Sequence, residues 1–198
     1  MNPFNKIPIT AEELRSDCLC YLQFRGEPVK ASRLHAGLEH EQQVKRIADH
    51  FNQDTSKYKD MEFTPELVYR RKSDAQPDGK LSDGFTFRKR SLAYFRTDIE
   101  AYYQLISDLV DQQFLSTSLV VGSCGVEAIF VDGGFSNNSI FMHLLANRFS
   151  GLEVFAASLP QATALGAALS IHGVWNSKLM PKDMIGLTHY PTGQSASK

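Results

Sequence analysis

The sequence is poor in cysteine, tryptophan and unbroken apolar stretches, and neither sign of charge is in surplus. Three cysteines, Cys18, Cys20 and Cys124, are too few for a disulfide framework, and one residue separates the first two with no Cys/His pair elsewhere to complete a zinc site. This usage predicts reduced, structural thiols and a cytoplasmic location. No apolar run nears the roughly 20 residues that span a bilayer. Pro3, Asn5, Lys6 and Pro8 interrupt the stretch where a signal peptide would carry its apolar segment. Lys plus Arg number 21 against 22 for Asp plus Glu, a formal net charge of -1, so no whole-chain field exists to hold a polyphosphate backbone. Neither membrane nor nucleic acid is an expected partner. What remains is a chain of 198 residues, 42% hydrophobic and 22% charged, a composition that folds and a length that suits one domain with a real core.

Two strand-like runs, Cys18-Leu-Cys-Tyr-Leu-Gln-Phe24 and Val29-Lys-Ala-Ser-Arg-Leu34, flank the turn former Arg25-Gly-Glu-Pro28 and predict a β-hairpin. Residues 39–51 place Val44, Ile47, Ala48 and Phe51 at helical spacing, with Glu39 and Glu41 in the first turn, where the helix dipole favours acids. Periodicity fades over 52–96, which reads as a surface insertion or a loop-rich excursion. Thr97-Asp-Ile-Glu100 has the form of a capping box, and the helix it opens turns Ile99, Tyr102, Tyr103, Ile106, Leu109 and Val110 inward until Gly122 ends it. Glu127-Ala-Ile-Phe-Val131 reads as a strand buried on both faces, Ile140, Phe141, Leu144, Leu145 and Phe149 as one side of a helix, and Glu153-Val-Phe-Ala-Ala157 as a second strand. A second capping-box candidate, Ser158-Leu-Pro-Gln161, then opens a helix through Leu169. Strand, helix, strand, helix at this spacing predicts a right-handed crossover and a parallel strand pair, hence an α/β domain.

Between the first of these strands and its helix stands Asp132-Gly133-Gly134-Phe135-Ser136-Asn137-Asn138. Paired glycines at a strand's carboxyl end leave no Cβ to fend off a ligand, so a phosphate or nucleoside can press against the backbone. Ser136, Asn137 and Asn138 add groups that hydrogen-bond a base or ribose, beside the positive end of the helix. Such a turn also joins many strands to helices with no ligand at all, and it is neither a GxGxxG fingerprint nor a P-loop. Farther on, Ala162, Ala164, Gly166, Ala167 and Ala168 crowd small residues onto one helix. There Gly166 costs about 1 kcal/mol of helix propensity relative to alanine, which predicts compensation by tight packing on a neighbouring helix.

Taken together, Ile129-Phe-Val-Asp-Gly-Gly-Phe-Ser-Asn-Asn138, the helix through Phe149, Val154 and Gln161-Ala-Thr-Ala-Leu-Gly-Ala-Ala168 resemble the carboxyl-terminal domain of the FGGY carbohydrate kinases. Similarity to the rhamnulokinase-like and fuculokinase-like branch extends back to the hairpin, to Val29-Lys-Ala-Ser-Arg-Leu34 and to Glu39-His-Glu-Gln-Gln-Val-Lys-Arg46. It implies a ribonuclease-H-like fold of the actin and hexokinase type, a mixed sheet flanked by helices, over 1–186, followed by a polar tail at 187–198. It implies that Asp132, Gly133, Gly134, Phe135, Ser136, Asn137 and Asn138 bind ATP or ADP with Mg. By the same comparison Ala164, Gly166, Ala167 and Ala168 lie on the hinge helix between two domains. Enzymes of that family are much longer, and their amino-terminal half supplies the first phosphate turn, most of the sugar site and the catalytic Asp. No catalytic residue is therefore expected in this chain, which starts just downstream of the family's second phosphate turn. It should transfer phosphate to a ketose such as rhamnulose or fuculose only when joined to the other half. Surface that packs on that half should be exposed and apolar, and a homodimer is one way to cover it. The alternative is a non-catalytic remnant or interaction module that keeps the fold without nucleotide binding.

Other features carry smaller expectations. Asp132 can hold Mg through water or fix its own turn, and the turn role is favoured. The six histidines, His35, His40, His50, His143, His172 and His189, show no metal-ligand spacing and read as packed or solvent-facing. Arg70-Arg-Lys72 and Arg88-Lys-Arg90 read as solvated surface, and Trp175 as a packing anchor.

Overall fold

In a computed structural model, residues 2–3, 9–22, 24, 26–69, 84–122, 125–158, 162–179 and 184–193 are described. A short helix α1 (Ala11–Arg15), closed by a Thr10/Glu13 capping box, leads into the hairpin β2 (Cys18–Leu22) and β3 (Pro28–Ser32). The strands pair antiparallel from Cys18↔Ser32 to Leu22↔Pro28, as their β-branched and aromatic runs predict, and β1 (Asn2–Pro3) pairs with β3 at Lys30 and Val29. A second sheet holds β4 (Ala128–Val131), β5 (Glu153–Ser158) and β6 (Gly186–Tyr190) in that order. The β4–β5 pair is parallel and the β5–β6 pair antiparallel. Hence the architecture is mixed α/β with a mixed sheet. The crossover between β4 and β5 is α5 (Ser139–Arg148), and α6 (Ala162–Ser170) and α7 (His172–Trp175) follow β5.

The core lies between α2 (Ala36–Phe51), α4 (Asp98–Val121) and α5, and the short α3 (Pro65–Tyr69) stands between α2 and α4 in the chain. Alpha-helix α4 is anchored where the sequence predicts: Thr97 accepts the Glu100 backbone N–H, Glu100 reaches back to the Arg96 N–H, and Gly122 follows the last turn. Ala101, Tyr102, Leu105 and Ile106 are fully buried against Ile47, Ile140 and Met142. None of the described helices is long and apolar enough to cross a membrane.

Several expectations need correction. The excursion at 52–96 is not confined to the surface: Tyr58, Phe87, Leu92 and Phe95 belong to the core, delivered by 3-10 turns at Thr55–Tyr58, Thr86–Lys89 and Leu92–Tyr94. Such turns have no 3.6-residue period to read, and the core draws on single large side chains instead. The basic run at 88–90 is not simply solvated either. Arg88 pairs with the fully buried Glu39, and Arg90 makes two hydrogen bonds, at 2.6 and 3.0 Å, to buried Asp108. Arg46 caps the same segment by donating to the carbonyls of Phe87 and Arg90. These bonds tie the excursion to α2 and α4. Strand β4 is not buried on both faces, because it lies at the sheet edge and Phe130 stands 60% exposed, stacked only on Phe155 of β5. Trp175 is an exposed residue that touches His172 edge-on and anchors nothing in the core. Residues 186–190, most of them assigned to the polar tail, form β6, which holds β5 through alternate backbone pairs from Val154↔Tyr190 to Ser158↔Gly186. The basic run at 70–72, Cys124 and the capping-box residues 159–161 lie outside the described residues.

A slot separates the two sheets. Ala31 and Ser32 of β3 and Ile129, Phe130 and Val131 of β4 line the same cavity of about 330 Å³, floored by Phe141, Leu145 and Phe149.

Candidate functional site

Beta-strand β4 delivers the chain into the turn at 132–138, and the local chemistry fixes its shape. Asp132 Oδ1 accepts the Gly133 backbone N–H at 2.7 Å, so the carboxylate shapes the turn, the role favoured from the sequence. Gly133 has φ 79°, a left-handed conformation that side chains disfavour. Buried Ser136 donates to the Gly133 carbonyl at 2.7 Å, closing a single 3-10 turn over Gly134–Asn137. Asn138 then caps α5 by accepting the Phe141 N–H at 2.9 Å.

The turn divides its residues between two hollows. Gly134, Asn137 and Asn138 line a cavity of about 840 Å³ that opens between α2, the turn at 55–58 and the start of α5. Asp132 and Phe135 line the smaller slot between the sheets. Gly133 and Ser136 serve the turn itself. The larger cavity is of a size that takes a drug-sized ligand. A Cβ added to Gly134 would meet no atom within 4 Å, so the backbone there faces open space.

The opposite walls come from residues the sequence reading did not assign. Alpha-helix α2 contributes His40, Val44, Lys45, Ala48 and Asp49, and the next segment contributes Asp54, Tyr58 and Lys59. Tyr58 stacks on Tyr102, with ring centroids 5.0 Å apart, and its hydroxyl donates to Asp98 at 3.1 Å. Lys57 also reaches Asp98 at 2.7 Å. His40 meets Tyr102 and Phe135 edge-on, at 5.9 and 5.4 Å, and burial pushes its pKa below the ordinary 6.5. Burial also lifts Tyr102 to about 12, so its hydroxyl stays protonated. The site thus sets the half-buried His40 beside a glycine backbone, with Tyr58 and Tyr102 buried behind it and Lys45 and Lys59 as cations on its rim. One signal for α2 stood in the sequence: Lys45 and Asp49 lie one turn apart and pair at 3.2 Å beside the apolar stripe. Nothing in the sequence ties Tyr58 and Tyr102 to the turn, because their meeting is tertiary.

The residues expected at a hinge lie on a bare helix. Ala164, Gly166 and Ala167 of α6 are exposed, and a Cβ at Gly166 would have no neighbour within 4 Å. The tight packing expected around Gly166 is therefore absent among the described residues. Ile171, Val174, Trp175, Leu179 and Leu187 are further large apolar side chains left exposed.

No protein-family profile matches the chain, and no curated protein does so. Among solved structures, a carbohydrate kinase from Novosphingobium aromaticivorans aligns with probability 1.00, a TM-score of 0.58 and 19% identity over 89% of this chain. The chain has the fold of part of a carbohydrate kinase. It spans only 37% of the length of that kinase, so the fold is shared with one portion of a longer protein. At this identity the likeness speaks for the fold, and the chemistry has to be argued from the site.

Proposed function

We propose that the chain is the nucleotide-side domain of a carbohydrate kinase of the FGGY type, with the ribonuclease-H-like fold of that family. ATP or ADP binds at the turn 132–138, its base in the cavity of about 840 Å³ and its phosphates towards the glycine backbone. The observation that carries this reading is the open space at Gly134, at the carboxyl end of a parallel strand and beside a cavity walled by His40, Tyr58 and Tyr102. Asn137 and Asn138 offer amides to the nucleoside, and Lys45 and Lys59 supply positive charge. Mg, bound with the nucleotide, would neutralise phosphate charge. Asp132 is engaged with the Gly133 N–H and lines the slot on the other side of the turn, so its role is to hold the turn. Transfer to a ketose such as rhamnulose or fuculose requires a partner domain that brings the sugar and the base. The chain by itself is inactive and resides in the cytoplasm.

Calorimetric titration with MgADP tests the site, with Gly134→Val as the decisive variant. A Cβ there meets no neighbour within 4 Å beside the cavity, so the variant is expected to keep the fold, which circular dichroism verifies, while obstructing the ligand. Loss of binding in the variant alone supports the assignment, and equal binding by both proteins overturns it. A second reading, a non-catalytic module, draws on the exposed Val174, Trp175 and Leu179, at 89%, 62% and 95%. It requires no MgADP affinity together with stable self-association in sedimentation, and a clean monomer that binds MgADP removes it.

A further inference from the structure

Tyr102 is wholly buried, and its hydroxyl meets two polar side chains, Asn138 Nδ2 at 2.8 Å and His40 Nε2 at 3.3 Å. Asn138 sets the direction of these bonds. Its Oδ1 already accepts the Phe141 N–H as the cap of α5, so the group turned to Tyr102 is the NH2, which can only donate. Tyr102 Oη accepts that bond and must place its own proton elsewhere. A buried hydroxyl proton finds an acceptor in nearly all native structures, and the acceptor within reach is His40 Nε2. A ring nitrogen that accepts carries no proton, so the proton of a neutral imidazole sits on Nδ1.

We propose that Tyr102 is a positioning residue of the cavity: the relay Asn138 to Tyr102 to His40 fixes His40 as the neutral Nδ1–H tautomer. His40, the half-buried member of this cluster, then offers the cavity an uncharged ring, suited to an aromatic heterocycle and not to a phosphate, while Tyr58 and Tyr102 are buried behind it. The ligand class rests on the nucleotide reading, whereas the tautomer rests on the hydrogen bonds alone. The charged groups around the cavity are Glu41, Lys45 and Asp49 from α2 and Asp54 and Lys59 from the segment after it, while α4 and the glycine turn bring none. Of these, Glu41 acts on His40 and favours its cation, and burial outweighs it. Tyr102 also ties three elements together, since α2, α4 and the cap of α5 meet at one oxygen.

Two-bond proton–nitrogen correlation spectra of the protein labelled with nitrogen-15 histidine read the tautomer directly, with His40→Gln assigning the signal. The expected result is the Nδ1–H pattern at neutral pH. Tyr102→Phe keeps the ring and removes the relay, so His40 should move towards the Nε2–H form, and MgADP affinity should fall about threefold to tenfold. Asn138→Asp keeps a capping acceptor but turns an acceptor towards Tyr102, which reverses the relay and should also yield the Nε2–H form. Circular dichroism of both variants verifies the fold, and either variant alone suffices for the test. An Nε2–H pattern in the parent protein, or a His40 signal unchanged by both variants, overturns the relay. If the tautomer behaves as expected while MgADP binds neither parent nor variant, the relay stands and the ligand class falls. If MgADP binds and the tautomer does not respond, the relay falls and the nucleotide reading stands.

Discussion

Two helices of this chain teach opposite lessons about what holds a helix. Alpha-helix α4 has a sequence-coded cap and buries 12 of its 24 residues, including four with no exposed surface at all: Ala101, Tyr102, Leu105 and Ile106. Alpha-helix α6 is made of alanine-rich sequence with good propensity, yet none of its described side chains from 164 to 170 is buried. Nine residues are too few to be stable as an isolated helix in water, and among the described residues α6 lacks the packing that holds α4. The same contrast runs through the charges. Arg90 and Asp108, whose side chains are 20% and 7% exposed, fasten the excursion to α4, whereas Lys45 and Asp49, at 73% and 67%, lie in solvent.

The largest break in this comparison is expected from Ile106→Ala, which leaves a cavity in the centre of α4. Urea unfolding should record a loss of about 2–5 kcal/mol, against less than about 0.5 kcal/mol for Val174→Ala on α7. Equal losses at the two sites would mean that the α6–α7 surface is covered in solution. Next in size is Arg90→Ala, which strands the Asp108 carboxylate and should cost about 2 kcal/mol, while Lys45→Ala stays within about 0.5 kcal/mol. Smaller again, and opposite in sign, Gly166→Ala should stabilise the chain by up to about 1 kcal/mol, because propensity improves and no neighbour is displaced. A destabilised variant, or one that changes only the oligomeric state, would show that another surface lies against Gly166.

Least pronounced is the dependence on pH. Burial holds the pKa values of His40 and His143 below the 6.5 of a free imidazole, so the unfolded chain takes up protons there before the folded one does. Stability is complete above 6.5 and declines as pH falls through the folded values. His40→Gln should flatten that decline in thermal melts between pH 7.5 and pH 5, about the window in which imidazoles titrate. A steeper decline in the variant would place the sensitivity at other groups.

How much could be read in advance depended on whether a contact was local. Thr97, Gly122 and the spacing of Tyr102 and Ile106 announce α4 because caps and periodicity act within a few residues. Phe130, Phe155 and the glycine turn between β4 and α5 announce the parallel pair for the same reason. Phe87, Leu92 and Phe95 enter the core through isolated 3-10 turns, with no repeat to betray them. Of the candidate site, the turn was visible and the cavity was not. Its aromatic cluster takes His40, Tyr58 and Tyr102 from three separate segments, which only the folded packing of α2 on α4 brings together. The strand β6 escaped notice because its neighbour β5, and not its own exposed Leu187 and His189, decides its conformation.

The slot between the sheets has a practical meaning for handling the protein. Beta-strand β4 ends its sheet, so among the described residues its outer edge, beside the slot, has no strand partner. A row of free N–H and C=O groups above an apolar floor is a template for any extended peptide that arrives. Concentrated samples should therefore gain intermolecular β-structure with time, and a charged residue at Phe130, on the solvent side of β4, is the gatekeeper that would slow it.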